Sequence, residues 1–328
     1  MNMIRSLTLV LICSCSAPTG PQCRVGADCA SGVCSGTGHC MEDAGGGSGG
    51  SAGGSSSTGG GGGAGGAAGS TGGGTATGGG TGGAAGSGGG AAGGSTSCLP
   101  NHDGTITRAE VPLGPGFHAT FEVATNATFN SAPVMDGGIA TWDFTAMLSG
   151  DHNVLAETLP LDNLWFKDDF AGATYATRLS ESSDLLGIFE VKSDGLYLRG
   201  VASQMSSLTA TKLSYSPPAK VIDFPLSAGD HWTTTSTVSG TLNGGVWVQY
   251  ETYDSTADLR GTAKTPYSSF DVVRVKTVLS RTVGVVTTVT RSQAFVTECF
   301  GTIAALTSQV DEPQSEFSSQ AEVRRLSL

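Results

Sequence analysis

The chain has 328 residues and a net charge of −11 at pH 7, with 51 glycines among them. That acidic balance offers no basic footprint for phosphates, which excludes a nucleic-acid binder, and reads as solubility. Length alone suggests two domains, but the glycines are concentrated in one segment and leave room for a single folded unit.

Residues 1–14 read as an export signal. Arg5 supplies the positive start, and the apolar run Leu7–Ile12 falls well short of the roughly 20 residues that span a bilayer. The segment closes on Ile12, Cys13, Ser14 and Cys15, which resembles the lipobox of bacterial lipoproteins. The resemblance implies cleavage before Cys15, acylation of that cysteine and anchorage in a membrane. Position 16 is Ser and not Asp, which in that family favours the outer membrane, on its periplasmic or cell-surface face. Several acyl chains on one residue give stable anchoring where a single chain is marginal.

Residues 15–43 form a small cysteine-rich module. With Cys13 lost in the signal and Cys15 acylated, six cysteines remain, an even number in a compartment where disulfides persist. Cys23, Cys29, Cys34 and Cys40 lie close together with glycines between them. So short a stretch cannot build a core, so cross-links must hold it, in any of three pairings. The string Asp28–Cys34 looks like the Cys-rich modules that follow the anchor in some bacterial surface lipoproteins. A zinc site is the rival, but the paired Cys-x-x-Cys knuckles are missing. Cys98 and Cys299 are left for each other, the first opening the folded domain and the second placed in a strand near its end.

Residues 44–97 contain only Gly, Ala, Ser and Thr. With almost no apolar area to bury, such a segment predicts a disordered linker. Its root-mean-square span would be roughly 40 Å, with an extended limit near ~180 Å.

Residues 98–328 predict an all-β domain. Gly187–Val191 and Leu196–Leu198 flank a Ser-Asp-Gly turn, while Thr235–Leu242 and Val246–Tyr250 flank Asn243-Gly244, whose residue types suit a type I′ hairpin. Phe270–Leu279, Thr282–Thr290 and Ser292–Phe300 read as three further strands, followed by Ile303–Leu306 and Ala321–Leu328. Gly137–Phe144, Ile222–Trp232 and Phe295–Leu306 are similar to pieces of secreted β-sandwich or half-barrel domains. That resemblance implies an antiparallel β-sandwich or unclosed β-barrel, and a half-barrel would carry an acyl chain on its concave face.

The candidate sites are few. Asn101, Asp103, Thr105 and Glu110 follow the spacing of an EF-hand calcium loop, with Gly104 at the sharp turn, but the first ligand position falls on Leu99. An Asp-Gly turn leading into the sheet is the favoured reading. Asp151-His152 and Asp230-His231 read as turns or satisfied surface groups. Asp168 and Asp169 are neighbours and cannot alone face a sugar across a cleft. Trp142, Trp165, Trp232 and Trp247 fit a carbohydrate platform less well than a core. No nucleophile elbow, Walker loop or dinucleotide fingerprint occurs. The expectation is a monomeric, non-enzymatic, membrane-anchored lipoprotein without a cofactor, binding or presenting an unknown protein, lipid or glycan. An acyl-chain carrier, a calcium-stabilised adhesin or carbohydrate binder, and a hydrolase are the alternatives.

Overall fold

The computed structural model describes residues 98–181 and 183–327. The expected signal, the anchor at Cys15, the Cys23–Cys40 module and the 44–97 linker lie outside them. Sixteen strands and two short 3₁₀ turns, at Arg108–Glu110 and Lys167–Asp169, make up the regular structure. The strands are β1 (Thr105–Ile106), β2 (His118–Thr125), β3 (Val134–Asp136), β4 (Ile139–Asp143), β5 (His152–Leu159), β6 (Tyr175–Arg178), β7 (Leu185–Lys192) and β8 (Gly195–Ser203). They continue as β9 (Lys212–Asp223), β10 (Leu226–Ser227), β11 (His231–Leu242), β12 (Gly245–Lys264), β13 (Ser269–Val283), β14 (Val286–Thr297), β15 (Gly301–Ser308) and β16 (Gln320–Leu326).

The order β11-β9-β8-β7-β6-β5-β2-β16-β15-β14-β13-β12 returns to β11, because β11 pairs with β12 along its whole length and with β9 through Thr237–Thr241. This is a closed antiparallel barrel of twelve strands, and it overturns the expected sandwich or unclosed barrel. Alternating apolar residues show that each strand has a buried face, but they do not say which strand lies beside which. Closure satisfies both rows of backbone groups that an open sheet would leave at its edges. With no open concave face, the half-barrel carrier reading is withdrawn. β4 lies parallel to the far end of β12, with β3 beyond it, and β1 pairs with β10 in a separate two-stranded sheet.

Two details of the expected strands also change. Residues 269–283 and 286–297 form one long hairpin around Gly284 and Val285, where three strands were expected. Cys299 sits in the turn between β14 and β15, at φ +64°, and not in a strand.

The ladders assign faces to side chains. Ala257, Val275, Ala294, Ala305, Arg324 and Val123 pair in one row across six strands. The Val275 side of that row faces the barrel interior, where Val275 joins Leu198, Val238 and Tyr175 from the opposite wall. The reverse row runs Leu259, Arg274, Phe295, Ala304, Arg325 and Glu122. Its apolar members pack with Trp142, Phe144 and Phe317, so this outer face is covered. β15 is therefore buried at every position. Along the β11–β12 ladder the exposed face is mixed: Thr233 and His231 on β11 meet Asp254 on β12 and Thr235 meets Thr252, while Val246, Val248 and Tyr250 are exposed further along the same side of β12. Among the described residues no helix is long and apolar enough to cross a membrane.

Arg274, only 1% exposed, anchors the covered outer face. It reaches Asp258 at 2.6 Å and Glu316 at 2.9 Å, its guanidinium lies 5.0 Å from the Trp142 ring centre, and Lys276 bridges the same two carboxylates. Burial opposes charge on Asp258 and Glu316, yet the hydrogen bonds and charges of Arg274 and Lys276 outweigh it and hold both carboxyls below their ordinary values. A depressed folded pKa means that the unfolded chain binds more protons. The cluster's contribution is then complete above the ordinary carboxylate range, near pH ~4, and is lost as pH falls through the depressed values. Acidification should lower the melting temperature of the native chain more steeply than that of Asp258→Asn/Glu316→Gln. Parallel acid limbs in the two melting curves would rule the cluster out as the source.

Candidate functional site

The segment that opens the domain is clamped at one end of the barrel. Cys98 and Cys299 are joined by a disulfide across 201 positions of sequence, and the Cys299 amide donates to the Glu110 carbonyl at 2.7 Å. The Glu298 carboxylate, next to that bridge, accepts the amides of Asn101 at 2.6 Å and His102 at 3.2 Å. His102 Nδ1 lies 3.0 Å from Asp271 on β13, and Arg260 of β12 donates to the His102 carbonyl at 3.0 Å. Pairing of β1 with β10 finishes the attachment and buries Ile106 in the barrel core.

Between this clamped loop and the β12–β13 and β14–β15 turns runs a cleft of about 260 Å³. Pro100, His102 and Gly104 form one side. The half-buried rings of Tyr267, Phe270 and Phe300 form the other, Tyr267 stacked on Phe270 at 6.3 Å and Phe300 edge-on to Phe270 at 5.0 Å. Gly104 is required in this wall because its φ is +91°, and the Arg260 guanidinium lies against it, 2.3 Å from where a Cβ would stand.

The calcium-spaced residues do come together, but they are occupied with one another. Asn101 Nδ2 donates to Glu110 Oε1 at 2.7 Å and to Asp103 Oδ2 at 3.2 Å, so the amide stands where a cation would have to bind. Asp103 Oδ1 accepts the Thr105 amide at 2.8 Å, and Glu110 Oε2 accepts both the amide and the hydroxyl of Thr107. Leu99, at the first ligand position, is 80% exposed. Among the described residues no three His, Cys, Asp or Glu side chains are placed to hold a metal.

The other expected groups stay apart. His152 pairs with Glu181, Asp151 with Arg325, and His231 with Asp254, while Asp230 accepts the Ser227 amide. Asp169 meets Lys212 at 2.8 Å. Trp142 and Trp232 are buried, Trp247 packs partly buried against the barrel core, and Trp165, half exposed, donates to the Ser203 carbonyl.

Sequence reasoning passed over Arg260, Tyr267, Phe270, Asp271, Glu298 and Phe300. They come from three strand ends and share no spacing, so no local pattern marks them; only Glu298 and Phe300, flanking Cys299, carried a hint. Comparison with known proteins places the chain beside none of them: no family model, curated protein or solved structure matches it.

Proposed function

We propose that this protein is an exported, lipid-anchored binding protein that presents its barrel from a membrane and takes a ligand in the cleft beneath the disulfide-clamped loop. The cleft carries the reading. Its loop wall is fixed covalently at one end and by ladder pairing at the other, which suits a preformed site that loses little entropy on binding. Cys15, at the end of a short export signal, supports the anchor, and the 44–97 segment supports a spacer between membrane and barrel.

A hydrolase is the second reading, favoured by the convergence of His102, Asp271 and Glu298 on the cleft. Asp271 orients His102 through Nδ1 as a catalytic partner would. Among the described residues, however, no hydroxyl hydrogen-bonds to His102 Nε2, and Glu298 is taken up by two backbone amides. Binding is the better account.

Native mass spectrometry of the full chain extracted from membranes in mild detergent tests the proposal. We expect a mass carrying acyl groups, absent in Cys15→Ala, together with a co-purifying small molecule. An unmodified Cys15 would overturn the anchor. An acylated protein with nothing bound, even when offered lipid and glycan extracts, would overturn the binding role in favour of presentation alone.

A further inference from the structure

The charges around the cleft are not evenly satisfied. The Asp271 carboxylate contacts the His102 ring, and the Glu298 carboxylate accepts two backbone amides. Arg199, Arg274, Arg281, Arg324 and Arg325 each have a carboxylate partner, while Arg178 and Arg291, which do not line the cleft, bond to neutral oxygens. Arg260 lines the cleft, is exposed, and has no carboxylate within ion-pair distance among the described residues; its hydrogen bond runs to the His102 carbonyl. A guanidinium offers five N–H donors in a planar fork, so most of them remain for a ligand. The side chain lies across Gly104, and its bond to the His102 carbonyl fixes one N–H of the fork. The same cleft is lined by the three rings of Tyr267, Phe270 and Phe300.

Resting on the reading of the cleft as a binding site, we propose that it selects a small amphiphilic anion. A carboxylate or sulfonate head pairs with Arg260, and an aromatic or short aliphatic body lies against Tyr267, Phe270 and Phe300. The anion takes the free guanidinium N–H groups through a bidentate fork, with Asp271 and Glu298 held by His102 and by backbone amides, and the apolar body displaces water from the ring faces. A volume of about 260 Å³ lies just below the usual range for small-molecule sites, so the body is a ring or two and not a long acyl chain.

The test uses two fluorescent probes with one two-ring skeleton, naphthalene-2-sulfonate and its uncharged analogue naphthalene-2-sulfonamide, titrated into the full chain. We expect the sulfonate to bind at least about tenfold more tightly than the neutral probe. Arg260→Met should remove that preference, whereas Arg260→Lys should keep part of it. Ser269→Trp, at the exposed lip of the cleft, should weaken both probes. Equal affinity for the two probes, with both lost in Ser269→Trp, would overturn anion selection while sparing the cleft. Binding that neither substitution changes, or no binding at all, would overturn the cleft as a ligand site. Thermal melts of each variant identify any loss that comes from unfolding.

Discussion

Replacing Arg281 by methionine should destabilise the barrel by about 3–5 kcal/mol, the largest single-residue effect expected in its interior. Arg281 on β13 stands directly opposite Glu251 on β12, with Nε 2.7 Å from Oε1. The Glu251 side chain is fully buried and also accepts from Gln249 at 2.6 Å and Tyr253 at 2.7 Å, while Trp247 donates to Gln249. Burial first, and then the Glu251 charge, push the hydroxyls of Tyr215 and Tyr253 well above their ordinary pKa, so neither tyrosine ionises to disturb the network. Without Arg281 the Glu251 carboxylate keeps two neutral donors but no counter-charge in its buried position. The cost is that of a stranded charge more than of a lost bond. Glu251→Leu/Arg281→Met should therefore regain much of the loss, since a buried pair replaced as a unit is often nearly neutral. Urea denaturation midpoints decide this. If the double variant is no more stable than the single one, the stranded carboxylate is not the cause.

Removing the bridge with Cys98→Ala/Cys299→Ala should cost at most about 5 kcal/mol, because a cross-link over 201 positions restricts almost the whole unfolded barrel. The native-state effect should be local. The loop keeps Glu298, the His102–Asp271 contact and the β1–β10 pairing, so the barrel should still close. Hydrogen exchange should then quicken at the amides of Asn101 and His102 while the β13–β14 ladder stays protected. Reductant should shift the unfolding midpoint of the native chain and leave that of the variant where it is. An equal midpoint for native chain and variant would show that the bridge does no more than hold the loop.

Much of the local structure could be read from residue types. Asn243-Gly244 makes its hairpin because both residues take positive φ, +51° and +79°, at little cost. The Ser193-Asp194 turn joins Lys192 to Gly195 as expected, and the long β-branched runs form strands because their side chains suit a pleated, half-buried surface. Cysteine arithmetic left Cys98 and Cys299 for each other, and the structure joins them.

What residue types could not determine was which strands become neighbours. β2 lies between β5 and β16, nearly 200 residues further along the chain, and β11 reaches past the short β10 to meet β9. Alternation assigns a face and leaves the partner open, so a sandwich, a half-barrel and a closed barrel share one pattern. The cleft follows the same logic. Arg260 reads in sequence like any surface arginine on a β-strand, and Phe270 like any core residue. Their meeting beneath the Cys98 loop depends on how β12, β13 and the β14–β15 turn end together. Composition and short-range backbone preference thus set most strands and turns, because these depend on a few neighbouring residues, while the cysteine pair followed from counting cysteines along the whole chain. Closure and the site depend on contacts between distant segments, and only the tertiary fold decides them.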